Sequence, residues 1–312
     1  MLSIILPSYK SKNRLNAVRE KLDQAMSTAG ISYELIIVDD GSHDGSFQKA
    51  LELEHQYPNV RAFELSKNYT SHYALFAGLS VCRGKCATAI ADDDQQPYEL
   101  LIAMYRAWEK GSKIIFPYRA ERNDPFFSRL FATLFYRILN AVSDFTYPSK
   151  GADTFFIDRE VIDLLNTRIH PINTTTLTEL LRLGYEPLYM PYTRGKSAAS
   201  KSRWTLKKKI RLAKDWFFST SSFPIKFITF LGISISLFSF ALILFYLYIK
   251  LFGNPGFWKV EVPGWVSLII LISFFSGLIL LSLGIIAEYI WRIYEEVKNR
   301  PGYIIKKKEE QV

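Results

Sequence analysis

The chain has 312 residues, with 39 Lys and Arg against 30 Asp and Glu, 49% hydrophobic and 15% aromatic content, and 22% charged residues. So high an apolar fraction, with 16 Gly and 2 Cys, excludes a disordered chain, a collagen-like chain and a disulfide scaffold, and the length leaves room for more than one domain. The basic excess is local: residues 1–193 carry 21 basic and 23 acidic side chains, whereas 194–312 carry 18 and 7.

Short β-branched runs at 3–6, 35–38, 60–65, 87–91 and 113–116 alternate with segments whose apolar residues recur at spacings of three and four. Leu15, Val18, Leu22 and Met26 form one such stripe, Leu75, Leu79 and Cys82 a second, and Leu101, Met104, Tyr105 and Trp108 a third. This βαβα alternation predicts an α/β fold on a parallel sheet, in which ligands bind beyond the carboxyl ends of the strands. Cys82 and Cys86, with no further Cys or nearby His, are expected to be buried free thiols in a reducing compartment.

Three loops at those strand ends carry chemistry. Pro7-Ser8-Tyr9-Lys10 follows the first strand, and Asp39-Asp40-Gly41-Ser42-His43-Asp44-Gly45-Ser46 follows the second. By itself the second loop is also a plain turn with Ser46 capping the next helix. The third, Asp92-Asp93-Asp94-Gln95-Gln96-Pro97, sets three carboxylates side by side after a hydrophobic strand. A cation would relieve their repulsion, and oxygen ligands favour Mg2+ or Mn2+ shared with phosphate oxygens of a substrate. The bland alternative is a solvated helix N-terminus, where the acids favour the dipole. Together the loops suggest a site for a nucleotide diphosphate. Neither G-x-G-x-x-G after the first strand nor G-x4-G-K-[ST] is present, so dinucleotide-binding and P-loop readings have no support.

Toward the other end no charge occurs between Lys226 and Lys250 or between Glu261 and Glu288, stretches of 23 and 26 residues. At about 1.5 Å per residue the shorter spans ~34 Å, against a hydrocarbon core of about 30 Å. Tyr246, Tyr248, Trp258, Trp265, Tyr289 and Trp291 suit the two membrane interfaces, and transmembrane helices are predicted at about 227–249 and 264–288. Residues 194–226 hold ten Lys or Arg against Asp215 alone and 292–312 hold six, while 250–261 has only Lys250 and Lys259. Both ends are therefore expected in the cytoplasm. The start, Met1-Leu2-Ser3-Ile4-Ile5-Leu6-Pro7, lacks the charged region of a signal peptide, so the first domain is expected on the same side. Between domain and helices, Lys207, Lys208, Lys209, Arg211 and Lys214 interleave with Trp204, Leu206, Ile210, Leu212, Trp216, Phe217 and Phe218. That pattern predicts an interfacial helix on membrane lipids, each basic residue contributing about 1 kcal/mol. Nucleic-acid binding by the same run is not expected, because a membrane anchor follows directly. The expected division is a cytoplasmic domain 1–200, an amphipathic region 201–224, two membrane helices within 225–291 and a basic tail 292–312.

In "SIILPSYK", "IIVDDGSHDGS" and "ADDDQQP" the chain resembles glycosyltransferase family 2. The nucleotide-sugar domain of that family, the GT-A fold, opens with a strand followed by P-x-Y, continues with V-D-D-G-S and carries an acidic D-x-D-like motif. "LSKNYTSHYALFAGL", "GADTFFIDREVIDLL", "SKSRWTLKKKI", "SSFPIK" and "AEYIWRIYEEVKNRPGY" are similar to segments of its polyprenyl-phosphate glycosyltransferases, the group of bactoprenol glucosyltransferase and dolichol-phosphate mannose synthase. Spanning nearly the whole chain, the resemblance implies a Rossmann-like GT-A domain with a mostly parallel sheet, then interfacial helices and a two-helix transmembrane hairpin in a bacterial cytoplasmic membrane. The implied reaction is the inverting, metal-dependent transfer of a hexose from a nucleotide-sugar, UDP-glucose by family analogy, to undecaprenyl phosphate. A separate flippase and a downstream glycosyltransferase are then expected partners.

Carried over residue by residue, the resemblance implies that Pro7, Tyr9, Asp39 and Asp40 hold the base and ribose. Asp92 and Gln95 complete the nucleotide-sugar site. Alignment on Pro97 and Glu99 puts Asp93 and Gln95 on the family's second acid and its Gln. Alignment on the acids alone puts Asp92, Asp94 and Gln96 there. The first register is preferred, with Asp93 as metal ligand flanked by Asp92 and Asp94. Arg119, and Arg129 with Thr133, match positions that bind the lipid phosphate. Arg194, Lys201 and Arg203 lie in the segment covering the donor diphosphate, with Arg203 also implied for the lipid phosphate, although Ser200 replaces the Gly usual before this Lys. Catalysis is thus expected from Asp93, Asp94, Arg119 and Arg129. Family members acting on sugar hydroxyls place an E-D pair about a dozen residues before a Gly-Tyr, as the general base such an acceptor needs. Here Gly184-Tyr185 is preceded by Ile172-Asn173, which favours a phosphate acceptor, already anionic near neutral pH with a second pKa of about 6. Two other readings stay open: a transferase acting on a lipid-linked saccharide hydroxyl, and a non-catalytic nucleotide-sugar-binding scaffold. Gly232, Gly277 and Gly284 would allow close helix packing in a homo-oligomer.

Overall fold

The structure is a computed structural model that describes residues 1–93, 95–120, 137, 140, 148, 151–172, 174–193, 223–252, 264–298 and 300–306. It separates into two compact units, one formed by Met1–Ser219 with Arg300–Val312 and the other by Thr220–Asn299.

In the first unit the elements run β1 (Leu2–Ser8), α1 (Leu15–Ala29), β2 (Tyr33–Asp39), α2 (Ser46–Gln56), β3 (Val60–Glu64), α3 (Ser71–Val81), β4 (Cys86–Ala89), α4 (Tyr98–Glu109), β5 (Ile114–Arg119), β6 (Phe156–Asp158), α5 (Arg159–Arg168), α6 (Thr176–Arg182) and β7 (Leu188–Tyr192). The strands form one seven-stranded sheet in the order β3-β2-β1-β4-β6-β5-β7. Only β6 runs against its neighbours, β4 and β5; the other pairs are parallel. The five strands foreseen from the sequence all form. β6 and β7 were not foreseen, since three residues are too few for a period and Pro191 interrupts the last strand at the sheet edge.

Alternation along the strands divides the core into two layers. Leu2, Ile4, Leu6, Leu35 and Ile37 face one way, against Leu15, Val18, Leu22 and Met26 of α1 and Leu101 and Met104 of α4. Ile5, Ile36 and Val38 face the other way, against Ala74, Ala77 and Leu79 of α3 and Val161, Ile162 and Leu165 of α5. The period of two in the strands and the period of 3.6 in the helices meet on both faces, so each buries its apolar side. Cys82 and Cys86 are free and buried, and burial pushes the Cys86 thiol up to about 12, the behaviour of packing residues.

The expected basic tail, 292–312, is divided: 292–299 belong to the second unit, whereas residues 300–306 lie on this one, with Ile305 bridged to Leu65. Residues 201–222, where the interfacial helix is expected, lie outside the described residues.

The second unit contains two long helices, α7 (Phe223–Phe252) and α8 (Gly264–Val297). Within α8 the 24 residues Phe274–Val297 are long and apolar enough to cross a membrane. Large apolar side chains on both helices stand open, among them Phe230 at 68% exposure and Leu280 at 69%, whereas a helix inside a water-soluble core would cover them. A Cβ added at Gly232, Gly277 or Gly284 would meet nothing within 4 Å, so among the described residues none marks a tight contact.

Candidate active site

All parallel strands of the sheet point the same way, so the loops after β1, β2, β4 and β5 open along one edge. The predicted residues that are described lie at or beside those strand ends. Pro7 lies in β1 opposite Val38, Tyr9 directly follows the strand, and Asp39 closes β2. Arg119 closes β5. Across the antiparallel β6 the gap between β4 and β5 is bridged by side chains. Thr154 Oγ1 donates to the Ala89 carbonyl at 2.7 Å, and neighbouring Asp153 takes Arg119 in a fork, Nε to Oδ2 at 2.7 Å and Nη2 to Oδ1 at 2.9 Å. The end of β5 is therefore tied to the end of β4, just ahead of the acidic loop.

The Asp39-Asp40 pair is nearly sealed from solvent, at 1% and 3% exposure. Asp39 accepts from Ser42 N at 2.8 Å and from the Ser42 hydroxyl. Asp40 accepts from Tyr69 N at 2.7 Å and Thr70 N at 2.9 Å, which ties the loop after β2 to the loop after β3. Burial raises the pKa of Asp39 despite the Ser42 donors. Asp40 is pushed up to about 6, burial outweighing its two backbone donors and the Asp39 charge adding to it. Thr70 stands at φ 88 and Gly41 at φ 65, conformations that a neighbourhood must hold in place.

A proton that the folded chain keeps to about 6, and the unfolded chain releases near 3.8, makes stability fall as pH rises through that window. The contribution is full below 3.8 and gone above about 6. Asp40→Asn, which cannot titrate, is expected to flatten the slope by up to about 1.4 kcal/mol per pH unit, as read from chemical unfolding across the window. An unchanged slope would place the titration elsewhere.

In the acidic loop Asp92 is engaged: it accepts from the Ser11 hydroxyl and pairs with Arg14 Nη2 at 2.5 Å. Arg14 Nη2 also reaches Ser11 Oγ at 3.1 Å and the Lys10 carbonyl at 3.3 Å, so it staples the loop after β1 to the loop after β4. Sequence reasoning missed Arg14 and, although it placed donor selectivity in the loops 119–125 and 149–153, it missed Asp153 as the partner of Arg119. Arg14 and Asp92 are 78 positions apart and Arg119 and Asp153 are 34 apart, and no spacing rule joins residues so distant. Asp93 is partly buried beside Asp92. Among the described residues Gln95 Oε1 and Gln96 Oε1 are buried without a hydrogen-bond donor. Asp94, Arg129, Thr133, Arg194, Lys201 and Arg203 lie outside the described residues.

Among the described residues no three His, Cys, Asp or Glu side chains form a ready-made metal cage. A Mg2+ or Mn2+ ion that shares phosphate oxygens needs only one or two protein carboxylates. The donor chemistry present fits such an ion: the loop that carries the Asp93 carboxylate also carries two amide oxygens, Gln95 Oε1 and Gln96 Oε1, that are buried with no donor among the described residues. Asp92 is engaged by Ser11 and Arg14, and the orphaned amide oxygens of Gln95 and Gln96 belong one to each register.

Comparison with known proteins identifies the family. The family model Glycosyl transferase family 2 matches residues 3–165. YkcC of Bacillus subtilis, a glycosyltransferase of uncharacterised activity, is 32% identical over 306 residues, 98% of this chain and 93% of that protein. The glycosyltransferase sll0501 of Synechocystis, likewise uncharacterised, is 31% identical, covering 97% of this chain and 94% of its own. The SfII prophage-derived bactoprenol glucosyl transferase of Shigella flexneri is 28% identical over 309 residues, 98% of this chain and 97% of its own. With a family match over half its length, relatives collinear with it from end to end, and the α/β sheet and strand-end loops expected of a GT-A domain, the chain belongs to glycosyltransferase family 2 and is a glycosyltransferase.

Proposed function

We propose that this enzyme transfers a glucosyl unit from UDP-glucose to undecaprenyl phosphate, with inversion at the anomeric carbon, at the cytoplasmic face of a bacterial membrane. The observation that carries the reading is the collinear match to bactoprenol glucosyl transferase over 98% of the chain, apolar C-terminal helices included. Ile172-Asn173, standing where hydroxyl-directed relatives would keep their acidic base, supports the choice of acceptor.

Pro7, Tyr9 and the loop built on Asp39 and Asp40 would receive the base and ribose. Asp93 and Gln95 would hold Mg2+ or Mn2+, with Asp94 adjacent and Asp92 steadied by Arg14. When bound, the ion would supply charge neutralisation for the departing diphosphate. Arg194 and Lys201 would cover the donor diphosphate. Arg119, Arg129 with Thr133, and Arg203 would hold the lipid phosphate, guanidinium forks suiting its oxygens. One phosphate oxygen attacks the anomeric carbon opposite the nucleotide, the new carbon–oxygen bond forming as the bond to UDP breaks. No base is required, since the monoester is already ionised, its second pKa being about 6. Positioning and electrostatics then supply the acceleration. Two membrane helices within 225–291, with the amphipathic segment 201–224 on anionic lipid, would keep the site at headgroup level, and a flippase and a further glycosyltransferase would act on the product.

Arg119→Lys keeps the charge and loses the fork, so the KM for the lipid phosphate is expected to rise by about tenfold with a smaller change in the donor KM. Steady-state kinetics with each substrate varied in turn checks this; equal effects on both would remove Arg119 from the acceptor side. The proposal as a whole is tested by incubating the full-length protein in detergent with undecaprenyl phosphate, Mn2+ and a panel of radiolabelled nucleotide-sugars. Label from UDP-glucose entering the organic phase, and lost with chelator, is the expected result. Transfer only from a different donor would replace the sugar assignment. Nucleotide binding without any transfer would favour the scaffold reading.

A further inference from the structure

After the last long helix the chain rejoins the first unit through an isolated β-bridge. Ile305 bridges Leu65 in antiparallel sense, Ser66 N donates to the Ile304 carbonyl at 2.9 Å, and Lys306 N donates to the Glu64 carbonyl at 2.8 Å. Lys306 Nζ adds an ion pair to Glu64 at 3.0 Å. Tyr303 and Ile305 pack against the core layer of α3 and α5, and the Tyr303 hydroxyl donates to the Phe76 carbonyl at 3.4 Å. Gly302 lies against Pro171 so closely that a Cβ there would stand 2.1 Å from its carbonyl oxygen. This segment is docked through backbone and side chains.

Its docking place is the open edge of the sheet, since β3 is the terminal strand, and it covers hydrogen-bonding groups that an edge strand otherwise leaves free. The residues immediately after β3 are the ones that hold Asp40. Ser66 takes the strap through its N–H, its hydroxyl lies 3.0 Å from the Tyr69 hydroxyl, and Tyr69 N and Thr70 N bind the Asp40 carboxylate. Thr70 holds φ 88, a backbone state that persists only where the surroundings over-determine it.

We propose that residues 301–306 are a positioning strap for the nucleotide site: by fixing the start of loop 66–70 they fix the Asp40 cradle, so that donor affinity depends on the strap. The inference rests on Asp39 and Asp40 serving the nucleotide, as in the proposed function.

Lys306→Pro deletes the N–H given to Glu64, while Lys306→Ala keeps it and removes only the side chain. In full-length protein, Lys306→Pro is expected to raise the Kd for UDP with Mn2+ and the KM for UDP-glucose about tenfold, or 1.4 kcal/mol. The kcat should stay within about twofold, amide exchange at Tyr69 and Thr70 should quicken, and Lys306→Ala should resemble the parent. Should Lys306→Pro prevent folding, Tyr303→Ala reads the same link, with Tyr303→Phe expected to restore affinity. Faster exchange in the strap with an unchanged Kd for UDP, or a loss confined to kcat, would overturn the strap's role. A parent protein that binds no UDP would instead overturn the nucleotide-site reading, and this inference with it.

Discussion

Asp93→Asn is expected to lower sugar transfer by more than about a hundredfold, with the melting temperature close to that of the parent. The substitution keeps size and shape but removes the negative charge that makes a carboxylate a stronger ligand for a divalent ion than an amide. Asp93 sits in a loop after β4 and is only partly buried, so neither core layer depends on it. Asp92→Asn should act differently: it weakens the pair with Arg14 and the bond from Ser11, loosening two loops without removing the ligand. A loss of about tenfold, partly recovered at higher Mn2+, is the expectation there. Initial rates across a metal titration separate the two. If Asp92→Asn proves the severe change and Asp93→Asn the mild one, the loop binds metal in the other register, through Asp92, Asp94 and Gln96.

The second large effect is on folding. Gly41 follows the Asp39-Asp40 pair at φ 65, and a Cβ there would stand 2.6 Å from the Lys67 carbonyl carbon and 2.8 Å from Asn68 N. Those are backbone atoms and cannot swing aside. Gly41→Ala therefore combines a left-handed residue bearing a side chain, costing about 1–2 kcal/mol, with overpacking worth about 1–3 kcal/mol. The melting temperature should fall by roughly 5–15 °C. Because the displaced backbone belongs to the loop that holds Asp40, UDP affinity should fall as well. A parent-like melting temperature would mean that the two loops separate more readily than their packing indicates.

The sheet was legible because its signals are local. Ile4 and Leu6 point one way and Ile5 the other, a period that can be read along a few residues. The α1 stripe of Leu15, Val18, Leu22 and Met26 is buried in full. β6 escaped notice because three residues, Phe156–Asp158, show no period, and its place between β4 and β5 follows from pairings across 41 to 72 positions. The same distance hid Arg14, Asp153 and the strap: what matters about each is a partner far along the chain. Lys306 reads as one charge in a basic tail, whereas its amide closes the edge of the sheet. At the site, Asp39, Asp40, Asp93 and Arg119 could be named from motifs. That Asp40 is held by Tyr69 and Thr70, and Arg119 by Asp153, is visible only once the loops are placed beside one another.

The central claim is that a phosphate oxygen, and not a hydroxyl, accepts the sugar. It is tested most directly by giving the enzyme UDP-glucose labelled in the sugar with either undecaprenyl phosphate or undecaprenol, two acceptors that share a tail and differ in the head. Labelled lipid that mild acid releases as free sugar, formed from the phosphate and not from the alcohol, is the predicted result. Equal or preferential transfer to the alcohol, giving an acid-stable glucoside, would contradict it.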